Sequence, residues 1–157
     1  MSKLTQTGLL ALMAFAFTLA GSAALATERT CYGKSAAPSI VGYYADNFGG
    51  YQLVGNSLWI SGGSHGELLF HNCAVHDGEK YLIAQNDATH GWNPNEYSRF
   101  EWTNSGGSLW YCQQVFSAKT EREAGDLTTH PKADGSDPGA KGCGAQGQHP
   151  WTKLTPK

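Results

Sequence analysis

Apolar and polar positions alternate along this chain over runs too short for helices. Ser39 to Ala45 (SIVGYYA) is β-branched and aromatic, and Asp46 to Gly50 (DNFGG) that follows is turn chemistry in which glycine takes the positive-φ positions. A hairpin with the next run, Tyr51 to Val54, is the expected outcome. Leu58 to Ser61, Leu68 to His76, Lys80 to Gln85, Tyr97 to Thr103 and Ser108 to Phe116 repeat the theme, separated by Gly55-Asn56, segment 62–66, Asp77-Gly78 and segment 104–107. Seven short runs with turn signals every 8 to 15 residues predict an all-β fold, a small antiparallel meander or barrel of about seven to eight strands. No ten-residue stretch before Ser117 carries helical periodicity.

The alternation also assigns faces. From Ser98 to Trp102, Phe100 and Trp102 share one side and Arg99 and Glu101 the other, which predicts a half-buried strand. Glu101 is expected to pair on the solvent face with Arg99 or a cross-strand cation. Leu109 to Cys112 is apolar on both sides, as in a strand capped from outside, and the C-terminal tail is the expected cap. Ala118 to Ala124 (AKTEREA) predicts a turn or two of helix with Gly125 as its stop. Segment 126–148, rich in Gly, Pro, Asp, Thr and Lys, reads as too polar to pack and as tied only at Cys143, a long disulfide-tethered tail. Gln148 to Leu154 then reads as a terminal edge segment docking Trp151 and Leu154.

Residues 1–26 have the form of a secretory signal peptide. Lys3 supplies the positive start, Leu9 to Leu19 is an eleven-residue apolar run, and Ala24-Leu25-Ala26 predicts cleavage before Thr27. An uncleaved anchor needs about 20 apolar residues, more than this run provides. The expectation is an exported protein, periplasmic or extracellular, with a single β domain over 27–157 and no membrane span. All four cysteines fall in that domain. In an oxidising compartment they read as two disulfides, for which three connectivities exist. Cys31 lies ahead of the first strand and Cys143 ahead of the last apolar segment, whereas Cys73 and Cys112 lie inside strands; pairing each outer cysteine with a strand cysteine predicts Cys31–Cys73 and Cys112–Cys143.

Composition narrows the function classes. Charged residues make up 15% of the chain, with 11 Lys+Arg against 13 Asp+Glu, and no basic cluster exists to neutralise phosphates, so nucleic acid is excluded as a partner. The patterns Ile83 to Asp87, Asn93-Pro94, Ser98 to Thr103, Leu109 to Gln113, Asp137-Pro138, Gly142 to Gly144 and Pro150 to Leu154 resemble a group of small exported bacterial β proteins; the resemblance implies no activity. Ile40 to Gly50 resembles the opening strand and turn of calycin barrels of the avidin and lipocalin kind, with Tyr44 where those barrels usually place Trp. That resemblance implies a barrel and carries over no ligand residue.

Candidate chemistry concentrates in Gln85 to Asn95 (QNDATHGWNPN), an eleven-residue connection in a place where hairpin loops are usually two to five residues. Trp92 can stack on a sugar or another flat ligand while Gln85, Asn86, Asp87, His90 and Asn93 supply donors and acceptors. The alternative is that Asn86, Asp87 and Asn93 form turns onto their own backbone and Trp92 caps the barrel end. Among the histidines, His71 shares a face with Cys73, and His76 falls on the opposite face because the separation is odd. No metal-ligand spacing and no cofactor motif appears. Glu67, Glu96 and Glu101 are the carboxylates available for a glycosidase pair. The expected role is a small binding or interaction module taking a carbohydrate or other small molecule at a loop-rich end; a periplasmic hydrolase using carboxylates or His90 and a structural envelope component are the alternatives.

Overall fold

The computed structural model describes Cys31 and residues 36–157. The signal segment and its cleavage point before Thr27 lie outside the described residues. Seven strands run as an antiparallel meander: β1 (Gly42–Asp46), β2 (Tyr51–Val54), β3 (Leu58–Gly63), β4 (Gly66–His76), β5 (Tyr81–Asn86), β6 (Tyr97–Ser105) and β7 (Ser108–Ala118). After a short helix α1 (Glu121–Ala124) and a two-residue ladder of β8 (Gly142–Cys143) with β9 (His149–Pro150), the last strand β10 (Thr152–Pro156) inserts between β7 and β1 and closes an eight-stranded barrel.

Local sequence explains the elements. The β6–β7 hairpin turns on Gly106 and Gly107, both at positive φ (58° and 72°), the backbone a two-residue hairpin of the right-handed twist requires. Thr120 caps α1 by accepting the Glu123 amide at 3.1 Å, and Gly125 ends it. The predicted first strand starts later than expected, because Ser39 and Ile40 form a turn; Ile40 still joins the core.

Inward positions of each strand fill the barrel. Trp59, Phe70, Leu82, Phe100 and Trp102 are buried, Trp59 stacks on Phe100 at 4.6 Å, and Phe70 meets Phe100 edge-on at 4.9 Å. Both predicted disulfides are present, Cys31–Cys73 and Cys112–Cys143. The outside of β7 is capped as expected: Cys112, Cys143 and Trp151 cluster there with Trp110.

Three expectations are overturned. In the segment 148–154, expected as an edge, β9 pairs with β8 alone, but from Thr152 onward β10 is no edge, since it is hydrogen-bonded on both sides. A bulge shifts the β4–β5 register around Cys73, so His71 faces Gln85 and His76 faces Tyr81; those partners are four apart in β5, and the two histidines therefore share a face.

The third correction concerns Arg99 and Glu101, which are 0% and 2% exposed rather than solvated. The polar tail covers them by hydrogen bonding instead of apolar packing. Arg99 Nε donates to Glu101 Oε1 at 2.9 Å, its Nη1 to the Ala124 carbonyl at 3.0 Å and its Nη2 to the His130 and Pro131 carbonyls at 2.6 and 3.3 Å. The Ala133 amide donates to Glu101 Oε2 at 2.9 Å. A segment with few apolar side chains thus docks through its backbone onto one buried ion pair.

Burial raises the Glu101 carboxyl above its ordinary value, against the pull of Arg99 and the Ala133 amide. The stability this group contributes is present in acid and is lost as pH rises through the elevated value. Arg99→Met leaves that carboxyl without its main counter-charge and the tail carbonyls without donors. We expect a loss of about 3–5 kcal/mol in denaturant unfolding, with a stronger preference for acid than the parent chain. A loss under about 1 kcal/mol, with the pH dependence unchanged, would contradict this account.

Candidate functional site

Antiparallel order brings the β1–β2 turn, the β3–β4 turn and the β5–β6 connection, residues 87–96, to one end of the barrel. Alternation within β5 separates the residues expected to form a site. Asn86 pairs with the inward Phe70, and Gln85 with the outward His71. Asn86 Nδ2 donates to the Asn93 and Phe116 carbonyls at 2.8 and 3.2 Å, its Oδ1 accepts from Ser98 Oγ at 2.7 Å, and Asn93 Nδ2 donates to Phe116 at 3.3 Å. Gln85 Nε2 donates to the Asn95 carbonyl at 3.2 Å. Asp87 Oδ1 accepts from the Thr89 amide and hydroxyl at 2.9 and 2.8 Å, and its Oδ2 lies 2.7 Å from His71 Nε2. Four of the six expected ligand residues are therefore engaged in hydrogen bonds that hold the loop, to its own backbone and to Phe116 of β7.

His90 is buried beside Phe70, ring centroids 5.3 Å apart. Its Nδ1 accepts from the Trp92 and Asn93 amides at 3.4 and 3.3 Å, which places the ring proton on Nε2. That Nε2 is buried and has no hydrogen-bond partner among the described residues. The imidazole works as an internal backbone acceptor that sets the course of the chain at Trp92.

Trp92 does not cap the barrel. It stands 76% exposed on the rim of a cavity of about 310 Å³ whose lining includes Asp46, Phe48, Ser61, His65 and Leu68. Gly50 allows this cavity to form: a Cβ there would lie 2.5 Å from the Gly62 carbonyl, so glycine lets the β1–β2 turn close over the end of β3. Asp46 Oδ1 accepts the Phe48 and Gly50 amides at 2.9 and 2.8 Å, and its Oδ2 accepts Gln52 Nε2 at 3.1 Å. Buried Gln52 also donates to Ser61 Oγ at 3.0 Å and accepts Trp59 Nε1 at 2.9 Å. Burial pushes the Tyr111 hydroxyl up to about 12. The polar floor of the cavity is thus fixed from below by the core.

Asp46, Phe48 and Ser61 were not legible as site residues. Segment 46–50 reads as a turn, and its juxtaposition with Trp92 depends on the pairing of β2 with β3 and on the fold of the β5–β6 loop. The carboxylates considered for hydrolysis do not form a pair. Glu67 accepts from Tyr51 Oη, Glu96 binds Lys119, and Glu101 is buried against Arg99. Among the described residues, one group of three side chains has metal-ligand proximity, Cys31, Cys73 and Glu121, and its cysteines are joined as a disulfide. Comparison of the chain with known protein families, curated proteins and solved structures finds no match.

Burial lowers the His90 pKa below its ordinary 6.5, with Asp87 acting weakly in the opposite direction. For a base depressed in the folded state, stability is present above 6.5 and is lost as pH falls toward the lowered value. An NMR titration should give His90 a midpoint under 6.5, and unfolding below that pH should steepen in the parent chain relative to His90→Gln. A midpoint at or above 6.5 would refute the acceptor role.

Proposed function

We propose that the mature protein is an exported binding module that holds a small neutral ring compound, a saccharide or a molecule of similar shape, in the cavity at the barrel mouth. The leading apolar segment and the two disulfides support export. The observation that carries the binding reading is the position of Trp92, a large aromatic left 76% exposed at a cavity rim in a chain that buries its other tryptophans or packs them on the barrel.

The lining fits that ligand class. Phe48, 62% exposed, supplies a second aromatic wall, Asp46 and Ser61 supply fixed polar atoms for hydroxyl groups, and the lining contains neither Lys nor Arg to hold an anion. Relative to the sequence expectation, Trp92 stays in the site, while Asp46, Phe48 and Ser61 replace the amides of the loop.

Titration of the mature protein with a panel of mono- and oligosaccharides, read by tryptophan fluorescence, tests the reading. Trp92→Ala should abolish the ligand-induced change while altering stability by no more than about 0.5 kcal/mol, as for an exposed side chain. Phe48→Ala should weaken binding about tenfold. If Trp92→Ala instead costs about 3 kcal/mol or more, Trp92 is a structural residue and the proposal fails.

A further inference from the structure

His90 is seated so that its ring can hold only one proton. Nδ1 faces the backbone N–H groups of Trp92 and Asn93, and Nε2 carries its hydrogen into a buried place with no acceptor among the described residues. A second proton would have to enter at Nδ1, where it meets the two amide hydrogens, since both ring nitrogens of an imidazolium are donors. A buried cation without acceptors has to leave for water. From the barrel, β4 offers it the uncharged ring of Phe70, 5.3 Å away. The charge that acts on the imidazole is Asp87, in its own loop, and that carboxylate is committed, Oδ1 to Thr89 and Oδ2 to His71 of β4. Trp92 is tied to the His90 ring twice, by its amide and by its indole, which meets the imidazole edge-on at 6.0 Å between centroids. The ring cannot leave its seat without disturbing Trp92.

We infer that His90 is an acid-triggered latch on the mouth: protonation of its imidazole expels the ring from its buried seat, withdraws Trp92 from the cavity rim and releases the bound ring compound. This rests on the ligand reading above and adds its regulation. With the imidazole neutral, both amides have their acceptor and the Trp92 wall stands; once Nδ1 is protonated, the amides lose that acceptor and the loop from Asp87 to Glu96 opens. The sign follows from the burial that depresses His90, so affinity is full above 6.5 and falls as pH drops through the lowered midpoint. About one pH unit below that midpoint, roughly one molecule in ten keeps the competent loop, and affinity is weaker by about tenfold. Acid acts the other way on His71, whose protonated ring pairs more strongly with Asp87. In the cavity itself stand His65 and the Asp46 carboxylate, the latter held by the Phe48 and Gly50 amides and by Gln52. His65 is therefore the group whose titration has to be separated from that of His90.

Neutral saccharides of the panel, cellobiose and maltose among them, carry no titratable group, so calorimetric titration of the mature protein from about pH 7.5 to about pH 4.5 reads the protein alone. Circular dichroism at each pH reports on the fold. The expected result is an affinity that falls about tenfold per pH unit below the NMR midpoint of His90, with the fold intact. In the ligand-free protein the Trp92 indole N–H resonance should shift with that same midpoint. His90→Gln, whose amide oxygen can accept a backbone N–H and does not titrate, should hold affinity constant within about twofold over the range. His65→Gln should keep the acid response. The latch is overturned, and the ligand reading left standing, by an affinity flat with pH in the parent chain, an acid response that survives His90→Gln or vanishes in His65→Gln, a Trp92 signal indifferent to His90, or unfolding at the pH of release. No binding of any saccharide at any pH overturns both.

Discussion

The barrel closes because the chain comes back. After β7 the polypeptide leaves the sheet for 33 residues, from Lys119 to Trp151, before β10 enters between β7 and β1. Closing a flexible loop of that length costs about 3 kcal/mol in chain entropy, and the five-residue β10 brings few apolar side chains to offset it. Two features on the outer face of β5 to β7 shorten the free excursion. Arg99 and Glu101 hold the backbone from Ala124 to Ala133, and Cys112 holds Cys143. The disulfide, spanning 31 positions, removes roughly 4 kcal/mol of unfolded-chain entropy. The buried ion pair supplies donors and an acceptor that a polar segment can satisfy without side chains of its own. Without this strap, β1 and β7 would each present an open edge.

What the sequence conveyed and what it withheld follow from the range of each interaction. Period-two alternation and Gly-rich turns are local, so seven of the eight barrel strands could be read from consecutive residues. The disulfide pairing was legible because each cysteine's place relative to the strands limits its reach. Arg99 and Glu101 were misplaced because charged positions alternating with Phe100 and Trp102 look solvated to any local rule; their burial depends on a segment some thirty residues downstream, whose contribution is backbone carbonyls with no sequence signature. The bulge at Cys73 defeated the parity argument for His71 and His76 for a related reason, since one inserted residue is visible only against the partner strand. In the candidate site, Trp92 was legible as the odd aromatic in a polar loop. Its companions Phe48 and Asp46 were not, because they meet it only through barrel closure and the pairing of β2 with β3.

The mouth and the core are mechanically one piece. Asp46 and Ser61, in the cavity floor, are held by Gln52, and Gln52 is held by Trp59, which stacks on Phe100 in the centre of the barrel. A ligand hydroxyl bonded to either floor residue would meet groups already oriented by a buried network, so little ordering would remain to be done on binding. Trp92 stands in a different position: its loop is shaped by Asn86, Asp87 and His90, three side chains turned onto backbone and neighbouring side chains rather than toward solvent. A rigid floor and a separately supported aromatic wall are what a shallow selective pocket needs.

Because closure and tail docking are held to be one event, native-state hydrogen exchange under increasing denaturant tests the account most directly. Amides of β10, of β1 where it faces β10, and of segment 124–133 should lose protection together, in one opening unit of lower free energy than β4 to β6. If β10 keeps the protection of β4 to β6 while segment 124–133 exchanges freely, the strap does not close the barrel and the account is wrong.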